Sequence, residues 1–414
     1  MKIAVWHNLP SGGGKRALYY HLRGLVERGH TVEAWCPPTA DASYLPLRDL
    51  LPECIEPFEW NSFEGRYPLT RLVSPYKNIV GKLAAMDRHC RACAEGMNRG
   101  GYDVLFANSC QFFRTSSIAR HVKVPSVLYL QEPFRWLYEA LPELPWPALP
   151  APEAGVRSVR YLKRFVANLI ETQALRIQAR HELDNARAFK GILVNSLFSR
   201  ESILRAYGLD AKVCYLGVDT DIFVDQRRPR ERFVLGLGAI VPEKRVELAI
   251  DAIALLPKPC PDLVWVGNVA ADSHLDRMKH LAHSRGVNFR VEVGISDKDV
   301  VDLLNRAALL VYGPRLEPFG LAPLEANACG LPVVAVAEGG VRETVLDGVN
   351  GLLVEDDPEA VAAGILRLLT DRAYASRLGT SGRELVSQRW SLSASIDRLE
   401  QRLAEVVRLG RPGS

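Results

Sequence analysis

The chain has 414 residues, 48% hydrophobic and 24% charged, with 52 basic against 48 acidic side chains and a net charge of +4. This composition excludes disordered, collagen-like and fibrous classes, and the charge is too balanced for a dedicated nucleic-acid binder. At roughly 100–200 residues per domain, the length predicts two or three domains that need no covalent staple.

Met1-Lys2 leads straight into Ile3-Ala4-Val5-Trp6, so a secretory leader is not expected. β-Branched runs predict strands at 2–7, 30–36, 103–107, 125–130, 190–195 and 212–216. In the second half they fall at 232–237, 262–266, 289–293, 308–312, 332–336 and 351–354. Helical periodicity lies between many of them; at 244–256, Val246, Ala249, Ile250 and Ile253 share one face. This alternation predicts an α/β protein with parallel sheets covered on both faces, one doubly wound domain in each half. Gly217-Val218-Asp219, followed by the polar run Asp225–Arg230, places the hinge at 217–230. The expected domains are 1–217 and 218–390, with a helix in 391–414 that closes the second domain or crosses back onto the first.

Two segments interrupt the alternation. Residues 141–152 carry five prolines and read as a surface loop. Residues 157–180 place Leu162, Phe165, Val166 and Leu169 on one side, with Arg157, Arg160, Lys163, Arg164, Arg176 and Arg180 making the helix basic. That pattern fits a core helix with a solvated basic side, or else a face for a membrane surface or an anionic acceptor. No uncharged apolar stretch reaches the ~18 residues of a membrane span. The eight cysteines are scattered and read as reduced, buried thiols. Cys90 and Cys93 are expected on one helix, without a second pair at zinc spacing.

In parallel sheets ligands bind where strands lead into helices. The first such loop is Ser11-Gly12-Gly13-Gly14-Lys15-Arg16. Glycines allow close backbone approach, and a helix start offers N–H groups to an anion. It is no P-loop, which would need glycine at Leu9 and serine or threonine at Arg16. Gly12, Gly14 and Ala17 do match a G-x-G-x-x-A pattern, so an NAD-dependent oxidoreductase stands as an alternative. The second loop, Pro242-Glu243-Lys244-Arg245, sets two cations at a helix start, where they oppose the dipole and suggest an anionic ligand. The third, 314–330, carries Glu317 and Glu325 around a Pro-Phe-Gly turn, with Glu325 expected about two turns into its helix. Two carboxylates framing free amides suit a polyhydroxylated ligand.

These residues together resemble the retaining nucleotide-sugar glycosyltransferases of family 4 (glycosyl transferases group 1), with the GT-B fold. The signature of two glutamates around a Phe-Gly turn stands here as Glu317-Pro318-Phe319-Gly320-Leu321-Ala322-Pro323-Leu324-Glu325. Asn195-Ser196, Gly217-Val218-Asp219, Val241-Pro242-Glu243-Lys244, Ala328–Val334, Gly339-Gly340 with Glu343, and Asp347–Leu352 follow in the family's order. Gly12-Gly13 and Arg28-Gly29-His30-Thr31-Val32 are similar to its opening.

The resemblance implies two Rossmann-like doubly wound domains facing a cleft, with the acceptor on the first and the donor on the second. It implies transfer of a hexosyl group from a UDP- or GDP-sugar to a hydroxyl of a glycan, lipid-linked glycan or small molecule, as in polysaccharide biosynthesis. Glu325 would hold the ribose, Glu317 would face the donor sugar, and the amides of Phe319, Gly320 and Leu321 would bind sugar hydroxyls and phosphate. Lys244 would neutralise the leaving diphosphate. Gly294 and Ile295 would border the base, and Gly12, Gly13 and Gly14 the donor phosphate. No metal and no separate cofactor are expected.

Two departures from the family pattern stand out. Ala239 occupies a position where many members carry arginine, and Arg245, where glycine is usual, is a candidate for the missing charge. A histidine common after the fourth strand is replaced by Gln131-Glu132. Glu132 is therefore a catalytic candidate, and Gln131 and Arg135 are acceptor-side candidates. A binder of the same fold without turnover is a further alternative. The expected location is cytoplasmic, with peripheral contact at the inner membrane face.

Overall fold

The computed structural model describes residues 1–140, 144–150 and 158–410. Of the proline-rich segment 141–152, residues 144–150 are described and form neither helix nor strand, as expected; 141–143, 151–152 and Arg157 lie outside the described residues. The strands, in chain order, are β1 (Lys2–Asn8), β2 (Thr31–Cys36), β3 (Glu53–Ile55), β4 (Val104–Cys110), β5 (Ser126–Tyr129), β6 (Gly191–Val194) and β7 (Lys212–Val213). They continue as β8 (Phe233–Leu237), β9 (Asp262–Gly267), β10 (Phe289–Val293), β11 (Leu309–Tyr312), β12 (Val333–Val336) and β13 (Gly351–Val354).

Among the described residues these form two parallel sheets, in the orders β3-β2-β1-β4-β5-β6-β7 and β10-β9-β8-β11-β12-β13. All twelve expected strands are present. β3 was not expected: it is a three-residue edge strand whose Cys54 and Ile55 are exposed, so it carries no alternating pattern. Central strands such as β4 and β12 are buried at every residue because helices cover both faces. The fold is the expected α/β GT-B type.

The chain divides into two compact units. One contains Met1–Val194 and Arg200–Val213, together with the chain from Leu399 onward; the other contains Asn195–Ser199 and Cys214–Arg398. In the first unit, Trp6, Leu105, Leu128 and Val194 sit in one core with the helix Ser74–Arg99. Cys90 and Cys93 lie on that one helix as expected, buried, and all eight cysteines are free. His89 accepts a hydrogen bond from the Trp6 indole at 3.2 Å, so this cluster is packing. In the second unit, Val246, Ala249, Ile250 and Ile253 pack on the sheet as their spacing predicts.

The long helix Val159–Ala188 corrects the reading of 157–180 as a core helix. Its buried residues lie at Ala174 and beyond, whereas Leu162 is 58% exposed and Phe165 and Leu169 are also exposed. Among the described residues no helix is long and apolar enough to cross a membrane. The last helix, Leu392–Gly410, buries Ile396, Leu399 and Leu403.

Candidate functional site

In the second sheet the strand order reverses between β8 and β11, and loops at such a switch point diverge to leave a binding crevice. The loop after β8 turns through Gly238, with φ 151°, and the short turn Pro242–Lys244. A Cβ on Gly238 would touch the Lys244 stem at 3.5 Å, and the Trp265 indole donates to the Gly238 carbonyl at 2.9 Å. Lys244 is thus laid across a glycine backed by tryptophan. Arg245 follows in the left-handed region at φ 55°, and the helix Val246–Ala254 begins after it. That conformation favours glycine, the residue that the resemblance leads one to expect here. The Arg245 guanidinium pairs with Asp356, and its Nη1 is buried without a hydrogen-bond partner.

The loop after β11 brings Glu317 to this point. Lys244 Nζ donates to Glu317 Oε2 at 2.7 Å. Leu316, just before the glutamate, has φ 48°. Non-glycine residues in this region cost about 1–3 kcal/mol each and gather at functional sites; here two of them flank the Lys244–Glu317 pair. Beneath it lies Tyr312, the last residue of β11. Burial first, then the carboxylates of Glu317 and Glu325, push its phenol well above the ordinary range. Tyr312 therefore lies in the field of both glutamates.

The helix Leu321–Ala328 starts after Gly320, whose φ of 93° lets the chain turn into it. Its first N–H groups have no partner inside the helix. Glu325 lies one turn in, not two, and is 7% exposed. The Phe319 ring does not point to a ligand; it is buried against Trp390 and Tyr215, at centroid distances of 5.6 and 6.2 Å. The turn is clamped from both sides. Pro318 O accepts from Ser196 Oγ at 2.5 Å, and Gly340 N donates to Glu317 O at 2.7 Å.

A Cβ on Gly340 would lie 2.2 Å from Pro318 O. Gly340→Ala should therefore destabilise the protein by about 1–3 kcal/mol, as overpacking does, measured by urea denaturation. Glu343, part of the family pattern, has a structural task. It accepts from the N–H groups of Leu197 and Phe198 and from the Tyr215 hydroxyl, at 2.9–3.0 Å. Asn350 is likewise buried and donates to Asn327 Oδ1 at 2.7 Å.

The other candidates are placed as follows. Gly294 and Ile295 follow the edge strand β10, and the Gly294 N–H bonds to Gly267 O at 2.9 Å. In the first unit, Gly12 is the N-cap of the helix Gly13–Glu27. A Cβ on Gly14 would lie 3.5 Å from the Gln131 side chain, so these two candidates are neighbours. Glu132 pairs with Arg114 and with Arg135, the latter at 3.7 Å, and Arg135 also holds Glu139 at 2.8 Å. Glu132 and Arg135 thus belong to one network that includes Arg114 and Glu139. Sequence reasoning missed Tyr312, Gly238, Trp265 and Arg114; the glycine before the Lys244 turn was the one visible signal.

The family described as "Glycosyl transferases group 1" matches residues 218–385. The chain is 33% identical over 235 residues to the GDP-mannose-dependent alpha-(1-6)-phosphatidylinositol monomannoside mannosyltransferase of Mycolicibacterium smegmatis, covering 50% of this chain and 60% of that protein. It is 32% identical over 205 residues to the D-inositol 3-phosphate glycosyltransferase of Xylanimonas cellulosilytica, covering 44% and 49%. The alignments thus span about half the length of these curated relatives. The solved structure of Anabaena HepE in complex with UDP and glucose superposes with a TM-score of 0.69 at 18% identity, over 98% of this chain and 99% of that one. That likeness concerns the fold. Residues 218–385, which carry Lys244, Glu317 and Glu325, are thus the part of the chain that is similar to the glycosyl transferases group 1 family.

Proposed function

We propose that the protein is a retaining, family 4 hexosyltransferase that uses a nucleoside diphosphate sugar. The observation that carries this reading is the 2.7 Å Lys244–Glu317 pair beside the start of the helix bearing Glu325. A cation next to unpaired helix amides suits a leaving diphosphate, and a buried carboxylate one turn further suits vicinal ribose hydroxyls. In the reaction the bond from the sugar's anomeric carbon to the diphosphate oxygen breaks, and a bond to the acceptor oxygen forms on the same face. The acceptor proton passes to the departing phosphate oxygen. Lys244 and the amides of 319–321 meet the developing charge, so the scheme needs no metal. The names of the mannosyl-transferring relatives support GDP-mannose as the first donor to try, and the UDP bound by HepE supports UDP-sugars next. The acceptor would be a hydroxyl of a glycan, a lipid-linked glycan or a small molecule.

Thermal shifts with GDP, UDP, ADP, dTDP, CMP and NAD test the reading. Saturation at ~100 times the dissociation constant adds about 2.7 kcal/mol. A rise with one nucleoside diphosphate supports the proposal, and a rise with NAD alone overturns it. Glu325→Ala should weaken that nucleotide by about 1–3 kcal/mol, since a buried charge-assisted hydrogen-bond acceptor is lost. Glu317→Ala should leave nucleotide affinity nearly intact and lower turnover; calorimetry beside initial rates would expose reversed roles.

A peripheral membrane location is part of the proposal. Leu162, Phe165 and Leu169 are exposed on the same helix as Arg160, Lys163 and Arg164. An exposed apolar stripe beside cations suits an anionic lipid surface. Co-sedimentation with vesicles should rise with anionic lipid and fall in Leu162→Ser/Phe165→Ser. Binding indifferent to lipid charge would count against it.

A further inference from the structure

Three ligand-type side chains meet in the first unit, and the transfer scheme uses none of them. His7 is on β1, Cys36 ends β2 and Glu53 begins β3, so three adjacent strands each supply one group. One ligand atom from each lies within 4.8 Å of the other two. His7 Nε2 is 3.5 Å from Glu53 Oε1, and Cys36 Sγ is 3.6 Å from the same oxygen.

His7 is 0% exposed, and neither ring nitrogen completes a hydrogen bond. Cys36 is buried as well. A buried imidazole whose contact with Glu53 is too long to complete a hydrogen bond calls for an explanation, because native proteins rarely leave such groups unsatisfied. The spacing offers one. For a tetrahedral ion bonded to nitrogen, oxygen and sulfur at ~2.0–2.3 Å, the corners lie about 3.3–3.6 Å apart. The two measured separations fit those edges. The His7–Glu53 separation is long for a hydrogen bond to a carboxylate, whereas 3.6 Å is an ordinary reach for the Cys36 thiol, which donates to Glu53 Oε1.

We propose that His7, Cys36 and Glu53 bind one divalent cation of the zinc class, with three protein ligands and a fourth position open to water. A thiolate with an imidazole selects zinc-like ions over magnesium or calcium, which prefer oxygen alone. Binding forms one bond each to nitrogen, sulfur and oxygen, and the Cys36 thiol proton leaves to solvent. The ion would tie together the ends of three strands at the sheet edge, where β3 is only three residues long. It has no part in the transfer scheme.

Lys15 is the opposing charge. It is 1% exposed, its Nζ has no hydrogen-bond partner, and it lies in the field of Glu53 and Cys36. In the metal-free protein Lys15 balances Glu53; a dication must bind against it. Removing that charge should therefore strengthen the site.

The test uses the full chain, stripped with chelator and titrated with Co²⁺ and Zn²⁺ alone. Wild type should take up one equivalent of Co²⁺ with a sulfur-to-cobalt charge-transfer band and tetrahedral visible absorption, and Zn²⁺ should bleach both. Cys36→Ser should abolish the charge-transfer band. Glu53→Gln should weaken Co²⁺ by at least about tenfold. Lys15→Met should bind Co²⁺ more tightly than wild type. Cys54→Ser, at the exposed neighbouring thiol, should match wild type. No cobalt–thiolate band in wild type, or the same band in a folded Cys36→Ser, overturns the proposal. Should Cys36→Ser not fold by circular dichroism, unchanged affinity in both Glu53→Gln and Lys15→Met overturns it.

Discussion

Lys244→Met should lower turnover by about 10²–10³-fold, the loss typical of removing one group that stabilises developing transition-state charge. The stem of methionine fills the space over Gly238 that the lysine stem occupies, so the change removes charge while keeping packing. Two effects then oppose each other in the ground state. The diphosphate loses a cation, and Glu317 loses the partner it holds at 2.7 Å. Both side chains are partly open to solvent, at 27% and 15%, so screening keeps the pair's own contribution to stability small. The loss should therefore appear in kcat more than in unfolding free energy. Initial rates with a saturating donor, beside urea denaturation, separate the two. A variant within about threefold of wild type in kcat would remove Lys244 from the transition state.

Phe319→Ala should cost about 3–5 kcal/mol, the range for truncating a buried aromatic. Its ring is 2% exposed and lies against Trp390 and Tyr215, the latter bonded through its hydroxyl to Glu343. The ring thus anchors the turn whose amides meet the ligand in the proposed scheme, and the cavity would loosen Glu317 and Gly320 together. The urea midpoint should fall, and nucleotide affinity should fall with it. A loss below about 1 kcal/mol would mean that the pocket collapses around alanine or that the ring is not a core residue.

The strands were legible because central parallel strands are runs of Val, Ile and Leu bounded by turns, as in Leu309–Tyr312 and Val333–Val336. Glu53–Ile55 was not legible, because an exposed edge strand needs no apolar pattern. The glutamate turn was legible as local chemistry: charge, proline and glycine in nine residues. Its supports were not. Tyr312 read as one more strand residue, and Glu343 as one more charge near glycines. Its bonds to Leu197 and Phe198 join positions about 145 residues apart, and no local spacing reports such a pairing. The face of Val159–Ala188 failed for a related reason. Periodicity finds an apolar stripe but not what covers it, and the half of the helix before Ala174 keeps its stripe in solvent.

The salt bridge at Lys244 also has a bearing on selectivity. The cation already carries a resident anion, the Glu317 carboxylate, so an incoming ligand competes with it. A ligand with one phosphate exchanges one anion for another and gains little. A diphosphate can displace the carboxylate with one phosphate and reach the amides of 319–321 with the other. In the proposed reaction the same competitor returns once the sugar has left, helping to expel the spent nucleotide. Charge count, more than shape, would then decide which nucleotides stay bound.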